Sequence, residues 1–132
     1  MTPGEALEFH QGALVVDSKM IVSSGVLFTD KMREAMSIWV SEGRMSRKEI
    51  HGRLHAMEIQ ELKNSPEARK KYLDFWNNTG VTVGSSTYAG PDSPDGAFEA
   101  AVLSLSQGRA TIDAMGEDVR LVLTSDDIEK AY

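Results

Sequence analysis

The fold prediction for this chain begins from the stretch ALVVDS at residues 13–18. Its four apolar residues form an unbroken run, which is typical of a strand that is buried on both faces. Two further strand candidates follow along the chain, VTV at residues 81–83 and VRLVL at residues 119–123, and helical patterns separate all three. Because strands that alternate with helices favour a parallel sheet with right-handed crossovers, we predict an α/β fold with the element order βαβαβα.

The helices between the first two strands are predicted from their capping residues. Thr29, Ser46 and Ser65 each precede a helical apolar pattern. A hydroxyl at this position accepts a hydrogen bond from a free backbone N–H of the first helical turn. Glu49 follows Ser46 at the spacing of a capping box. We therefore predict three consecutive helices that begin at these residues.

A longer helix is predicted over residues 97–115, with Asp95 as its cap and Gly116 at its end. We expect the apolar residues at helical spacing to form its buried face. These residues are Phe98, Ala101, Val102, Leu105, Ile112 and Met115. A last short helix is predicted to begin at Thr124.

Length, charge and composition limit the classes of function. The 132 residues suit one domain, 1–132, and 20 acidic against 14 basic residues give a net charge of −6, which argues against a nucleic-acid partner. No apolar run approaches the roughly 20 residues that span a bilayer, and the N-terminal residues lack the pattern of a secretion signal. We therefore expect a cytoplasmic chain with no membrane partner. The absence of Cys excludes disulfides, thiolate zinc sites and cysteine nucleophiles.

Three strands are too few to close a barrel, which needs about eight. The predicted elements therefore permit two architectures, a small open α/β domain or part of a larger barrel. The chain ends at Tyr132, soon after the last predicted helix begins. We expect an incomplete N-terminal part of a (β/α)8, TIM-type barrel.

Polar segments follow each of the three predicted strands, at residues 17–19, 84–87 and 124–125, and we expect these three loops to line one site. Ligands of parallel α/β folds bind at the carboxyl ends of the strands. The candidate rim residues are Asp17, Lys19, Ser85, Ser86 and Thr87. Asp17 is either an active-site carboxylate or a local cap of its own loop, and Lys19 is either its ion-pair partner or a solvated side chain. We assign no catalytic residue.

Three segments resemble the membrane (renal) dipeptidase family of metallopeptidases. Residues 13–18 resemble the first strand of that family, which reads A-hydrophobic-V-I-D-G-H-x-D. The TGVTV of residues 79–83 is similar to its GGV-type second-strand entrance, and the LTSDDIEKA of residues 123–131 is similar to its S-x-x-D-I-x-x-A helix. The resemblance implies a barrel that hydrolyses dipeptides or similar small amides with a pair of zinc ions.

The zinc ligands that the resemblance implies are not matched in this chain. The His-x-Asp motif of the family corresponds to Lys19 and Ile21, and neither an ammonium nor an alkyl side chain ligates zinc. The later ligands of the family would lie beyond Tyr132. We therefore expect this chain to bind no cofactor and to have little or no hydrolytic activity, with a small peptide as the substrate of an intact relative.

A second class of function remains open, a non-catalytic α/β binding or interaction module. A sheet of three strands leaves unpaired backbone groups at its edge, and oligomerisation through that edge would cover them. Such a module would be a homo-oligomer.

Two histidines, His51 and His55, lie on one helix face with Glu58 one turn further. Gly52 interrupts the zinc-protease pattern, so we interpret the histidines as a solvated or partly packed pair.

Overall fold

The computed structural model describes residues 1–19, 27–87 and 94–130. Within them the fold is mainly helical, with six helices and a small parallel sheet of two strands. The elements are α1 (Pro3–Gln11), β1 (Val16–Asp17), α2 (Asp30–Glu42), α3 (Arg47–Asn64), α4 (Pro66–Thr79), β2 (Val83–Gly84), α5 (Ala97–Met115) and α6 (Ser125–Glu129). No helix in the described ranges is long and apolar enough to cross a membrane.

The predicted βαβαβα fold, and with it the N-terminal part of a TIM-type barrel, is wrong. The two strands pair in parallel over only two residues each, with Val16 opposite Val83 and Asp17 opposite Gly84. The third candidate, residues 119–123, is not a strand. The hydrophobic core explains the difference, because it forms where helices pack on helices and not where helices cover a sheet. Val16, expected to be buried on both sides, is exposed.

The helix starts that capping predicted at Thr29, Ser46 and Ser65 are confirmed. The backbone N–H of Met32 donates to the Thr29 hydroxyl at 3.3 Å, and the Ser46 hydroxyl and Glu49 carboxylate form the reciprocal capping box. The Ser65 hydroxyl caps α4 in the same way. These helix starts can be predicted because each cap is formed by residues only three positions apart in the sequence.

The predicted cap of α5 at Asp95 is wrong. The N-cap residue is Gly96, which has a left-handed backbone conformation (φ 73°) and provides no side-chain hydrogen bond to the helix. Glycine adopts this conformation without the steric cost that a side chain would add. The helix itself spans residues 97–115 and ends at Gly116, as predicted.

The core lies between α3, α4 and α5. Its buried members are Leu27, Ile59, Leu62, Tyr72, Ala114 and Met115. The half-buried Trp76 and Val119 pack against this cluster, so the segment after α5 is attached to the core at its first apolar residue. On the other side α2 packs against α3.

The prediction of the buried face of α5 is wrong for most of its residues. Its buried residues are Gly108, Thr111, Ala114 and Met115. Of the six apolar residues predicted to be buried, Met115 is buried, but Phe98, Val102 and Leu105 are 77%, 49% and 57% exposed. The physical reason is that α5 reaches the core with its C-terminal half, where Ala114 and Met115 are core members, whereas residues 97–107, which carry the apolar stripe, include no buried residue.

The N-terminal helix is held next to β2 by one histidine. The His10 Nε2 atom lies 2.8 Å from the Thr79 carbonyl oxygen at the end of α4. The next residue, Gly80, has φ 68°, and a Cβ built on it would lie 2.6 Å from the His10 ring. No residue of α1 is buried, so this contact at Thr79 and Gly80 is a main anchor of the helix that leads into β1.

Candidate functional site

The two parallel strands bring two of the predicted polar loops together. The backbone N–H of Ser85 donates to the Asp17 carbonyl oxygen at 2.8 Å, immediately beyond the last paired residues. The loop that begins at Asp17 and the loop that begins at Ser85 therefore lie side by side at the carboxyl end of the sheet. The predicted rim exists for these two loops, although the surrounding barrel does not.

The Asp17 carboxylate is used within its own loop. Its Oδ1 atom accepts a hydrogen bond from the backbone N–H of Lys19 at 2.8 Å. This is the local cap that the sequence left open as an alternative to an active-site role. The described ion pairs include none between the Lys19 ammonium and Asp17.

A cleft of about 840 Å³ lies beside β2. One wall is β2 with Ser85 and Ser86, and the opposite wall is the segment of residues 118–122. Trp76 and Ile112 also line it, so the cleft is partly apolar. Of the five predicted rim residues, Ser85 and Ser86 line the cleft, whereas Asp17, Lys19 and Thr87 are not among its described lining residues.

The backbone of Gly84 faces this cleft. Val83 and Ser85 direct their N–H groups to β1, with Val15 and Asp17 as acceptors. Because successive residues of a parallel strand point their N–H and C=O groups to alternate sides, the groups of Gly84 point away from β1. The edge of β2 along the cleft thus offers a backbone donor and acceptor beside the Ser85 side chain.

Asp127 marks one border of the cleft as a fixed negative charge. Its carboxylate accepts hydrogen bonds from the backbone N–H of Leu123 at 3.0 Å and from the backbone N–H and hydroxyl of Thr124, both at 2.9 Å. The bond from Leu123, followed by those from Thr124, lowers the pKa of Asp127. The carboxylate is therefore ionised at neutral pH and holds the start of α6 in place.

The residues at the rim do not fit a zinc ion. Lys19 stands where the resemblance to dipeptidases implies the first zinc ligand, and its ammonium would repel a cation. Ile21, where the resemblance implies the second ligand, lies outside the described residues. In the described part of the chain no group of three or more His, Asp or Glu side chains is arranged to hold a metal.

A buried polar relay joins α3 to α5, and sequence reasoning missed it. The His55 Nδ1 atom lies 3.5 Å from Oε2 of Glu58, and its Nε2 atom lies 3.4 Å from the Thr111 hydroxyl oxygen. Glu58 and Thr111 are 1% and 3% exposed. The sequence showed His55 and Glu58 on one helix face, but no local signal could identify Thr111, which lies 56 residues further along the chain.

The relay has the order of a hydrolase triad but not its accessibility. A carboxylate, an imidazole and a hydroxyl are connected in the sequence that activates a nucleophile in acyl transfer. The Thr111 hydroxyl, however, donates to the Gln107 carbonyl oxygen at 3.1 Å and lines no described cleft. Since a substrate cannot reach it, the relay is a packing element between two helices.

The Thr111 hydroxyl has two neighbours. It donates to the Gln107 carbonyl oxygen at 3.1 Å, and its oxygen lies 3.4 Å from the His55 Nε2 atom. On the other side of the imidazole ring, Nδ1 lies 3.5 Å from Oε2 of Glu58. Within the described residues the other carboxyl oxygen, Oε1, has no hydrogen-bond partner.

The exposed apolar stripe of α5 is the second unusual surface. It consists of Phe98, Ala101, Val102 and Leu105, all exposed. Across residues 97–108 the only charged residue is Glu99. The stripe thus combines low charge with large apolar side chains, a combination that marks protein–protein contacts on soluble proteins.

Comparisons of this chain with protein-family models, with curated proteins and with solved structures give no match.

Proposed function

We propose that this protein is a non-catalytic interaction module that binds a second copy of itself through the apolar stripe of α5. The observation that carries the proposal is the exposure of Phe98, Val102 and Leu105 in the N-terminal half of a helix whose C-terminal half is packed in the core. In water an amphipathic helix gains most of its stability by covering its apolar side. Here that side has no cover within the described residues.

The charge distribution also favours a second copy over an acidic or strongly basic partner. Residues 44–71 carry eight basic and four acidic residues, whereas residues 94–130 carry three basic and eight acidic residues. Two copies can place the basic part of one near the acidic part of the other. The neutral stripe between residues 97 and 108 lets the helices meet without opposing like charges.

The stripe is a better contact than the sheet edge, which the sequence suggested for oligomerisation. Each strand is two residues long, so an edge provides few backbone hydrogen bonds to a partner. The stripe provides four consecutive apolar positions on one face of a 19-residue helix. Buried apolar area is the main source of affinity between helices in water.

The experiment is light scattering on the wild type and two matched variants. Val102→Glu places a charge in the stripe, and Val40→Glu places the same charge on α2, where Val40 is 61% exposed. We expect a dimer for the wild type and for Val40→Glu, and a monomer for Val102→Glu with unchanged helix content by circular dichroism. A monomeric wild type, or a dimer that survives Val102→Glu, contradicts the proposal.

A second candidate function is binding of small peptides or similar amides at the cleft, without hydrolysis. It is favoured by the position of Ser85 and Ser86 in the cleft wall and by the backbone groups of Gly84 at the cleft edge. The resemblance to dipeptidases predicts the same class of ligand. A small amide could pair with the strand edge and rest its side chain on the apolar wall near Trp76.

Calorimetry with L-alanyl-L-alanine tests this candidate, in the absence and presence of zinc. Ser85→Trp fills the cleft and should abolish binding, whereas Thr87→Trp, outside the described cleft lining, should leave it intact. Absence of binding to the wild type refutes the candidate. Hydrolysis that requires zinc contradicts our expectation that this chain is inactive.

A further inference from the structure

Charged residues lie at both ends of the apolar stripe of α5, and their signs differ. The end before the stripe is acidic, with Asp95 just ahead of the helix and Glu99 in its first turn. The end after the stripe has a basic residue, because Arg109 follows Leu105 one turn further along the same face. Residues 100–108, between these ends, carry no charge. A second copy that reverses this order would match it.

Arg109 keeps donors for a partner although it forms an ion pair within its own helix. Its Nε atom donates to Oδ1 of Asp113 at 2.9 Å, and both side chains are more than half exposed. A guanidinium group has five N–H donors. Among the described hydrogen bonds, the one to Asp113 is that of Arg109, and it uses one of the five. A second carboxylate can therefore bind Arg109 without breaking this pair.

The spacing of the stripe also suits an antiparallel second copy. When Phe98 faces Leu105 of the second copy, Ala101 faces its Val102, so one register covers the whole stripe. In this register Arg109 comes level with residues 94 and 95 of the second copy. Its Glu99 then lies only about one helical turn, roughly 6 Å, further along the axis. The basic end of each copy therefore meets the acidic end of the other.

A parallel second copy would bring like charges together. Each residue of α5 would then face its own equivalent, so that Glu99 lies beside Glu99 and Arg109 beside Arg109. Like charges that face each other weaken an interface, whereas complementary charges set the relative orientation of the partners. The two helix dipoles would also point in the same direction. The charge pattern therefore disfavours the parallel arrangement.

We infer that two copies meet on α5 in antiparallel orientation, and that Arg109, beside Asp95 and Glu99 of the other copy, selects this orientation. The inference rests on the proposed function, because it requires self-association through the stripe. The contact is isologous, with a twofold axis between Ala101 and Val102, so each charge contact occurs twice. Such a contact closes after two copies and gives a dimer instead of a filament.

Cysteine cross-linking distinguishes the two orientations, because the chain has no Cys of its own. A disulfide requires two Cα atoms within about 7 Å of each other. Val102 lies next to the twofold axis, so Val102→Cys should cross-link with itself in either orientation and reports on the dimer alone. In the antiparallel dimer, two Leu105→Cys chains have their sulfurs seven residues apart along the axis, about 10 Å. They should not cross-link with each other, but should cross-link with Phe98→Cys chains in a mixture.

Charge reversal tests the role of Arg109, with sedimentation velocity as the assay. Arg109→Glu should weaken self-association about fivefold, because two attractive contacts become repulsive, and a further Glu99→Lys should recover most of the loss. Lys70→Glu is the matched control, since Lys70 forms an exposed pair of the same spacing with Asp74 on α4. It changes the net charge equally and should leave self-association unchanged.

The outcomes separate the inference from the proposed function. Leu105→Cys chains that cross-link with each other as readily as Val102→Cys chains overturn the antiparallel orientation and leave the proposed function standing. Arg109→Glu chains that associate as tightly as the control, or that show no recovery in the double variant, overturn the role of Arg109. A wild type that sediments as a monomer, together with Val102→Cys chains that do not cross-link, refutes the proposed function and the inference with it.

Discussion

Leucine-to-alanine substitutions at Leu62 and Leu105 test whether the apolar stripe of α5 is a surface or part of the core, because the two cases predict different losses of stability. Leu62 lies on α3 and is 0% exposed, whereas Leu105 lies on α5 and is 57% exposed. Removal of a fully buried leucine side chain costs about 3–5 kcal/mol, because transfer and cavity terms add. An exposed leucine costs at most about 0.5 kcal/mol.

The expected magnitudes convert into melting temperatures. With an unfolding entropy of about 2.1 cal/mol/K per residue, Leu62→Ala should lower the Tm by roughly 11–18 °C and Leu105→Ala by less than about 2 °C. Thermal unfolding is followed by circular dichroism at a concentration low enough to dissociate any dimer. If Leu105→Ala lowers the Tm as much as Leu62→Ala does, the stripe belongs to the core and the proposed surface does not exist.

Three further predictions test local features. Gly80→Ala should destabilise the chain by about 1–3 kcal/mol in urea unfolding, because Gly80 has a left-handed backbone conformation and an added Cβ would clash with the His10 ring. Gly52 lies inside α3, where an added Cβ meets no neighbouring atom, so Gly52→Ala should stabilise the chain by about 1 kcal/mol in the same assay. Ser46→Ala removes the capping box of α3 and should cost about 1 kcal/mol in the same assay; a loss near zero would contradict the cap. Hydrogen bonds lower the pKa of Asp127, so its ionised carboxylate stabilises the fold above the ordinary Asp pKa range, and this contribution is lost as the pH falls through the lowered pKa. Asp127→Asn should therefore make the free energy of unfolding fall less steeply as the pH is lowered. An unchanged pH dependence would contradict the assignment.

Local signals in the sequence were sufficient for the helices. Thr29, Ser46 and Ser65 begin helices because each hydroxyl meets a backbone N–H three residues away. The strands depended on distant partners and were predicted less well. Residues 119–123 have the composition of a strand, yet only Val119 packs against the helical core and Leu123 is exposed.

The faces of α5 could not be predicted from periodicity. The apolar spacing of Phe98, Val102 and Leu105 indicated a buried face, but α5 buries only residues between Gly108 and Met115. Which half of the helix meets the core depends on α3, which is adjacent only after folding. The candidate rim was predicted in part. The Asp17 and Ser85 loops do meet, because both follow paired strands, whereas Thr87 lies outside the described lining of the cleft.

The most direct test of the central claim is an isotope-filtered NOE measurement on a mixture of labelled and unlabelled chains. We predict intermolecular cross-peaks from the Phe98 ring and the Val102 methyl groups of one copy to the same stripe of the other. Intermolecular cross-peaks confined to other surfaces, or none at concentrations where the stripe side chains are observed, would contradict the claim.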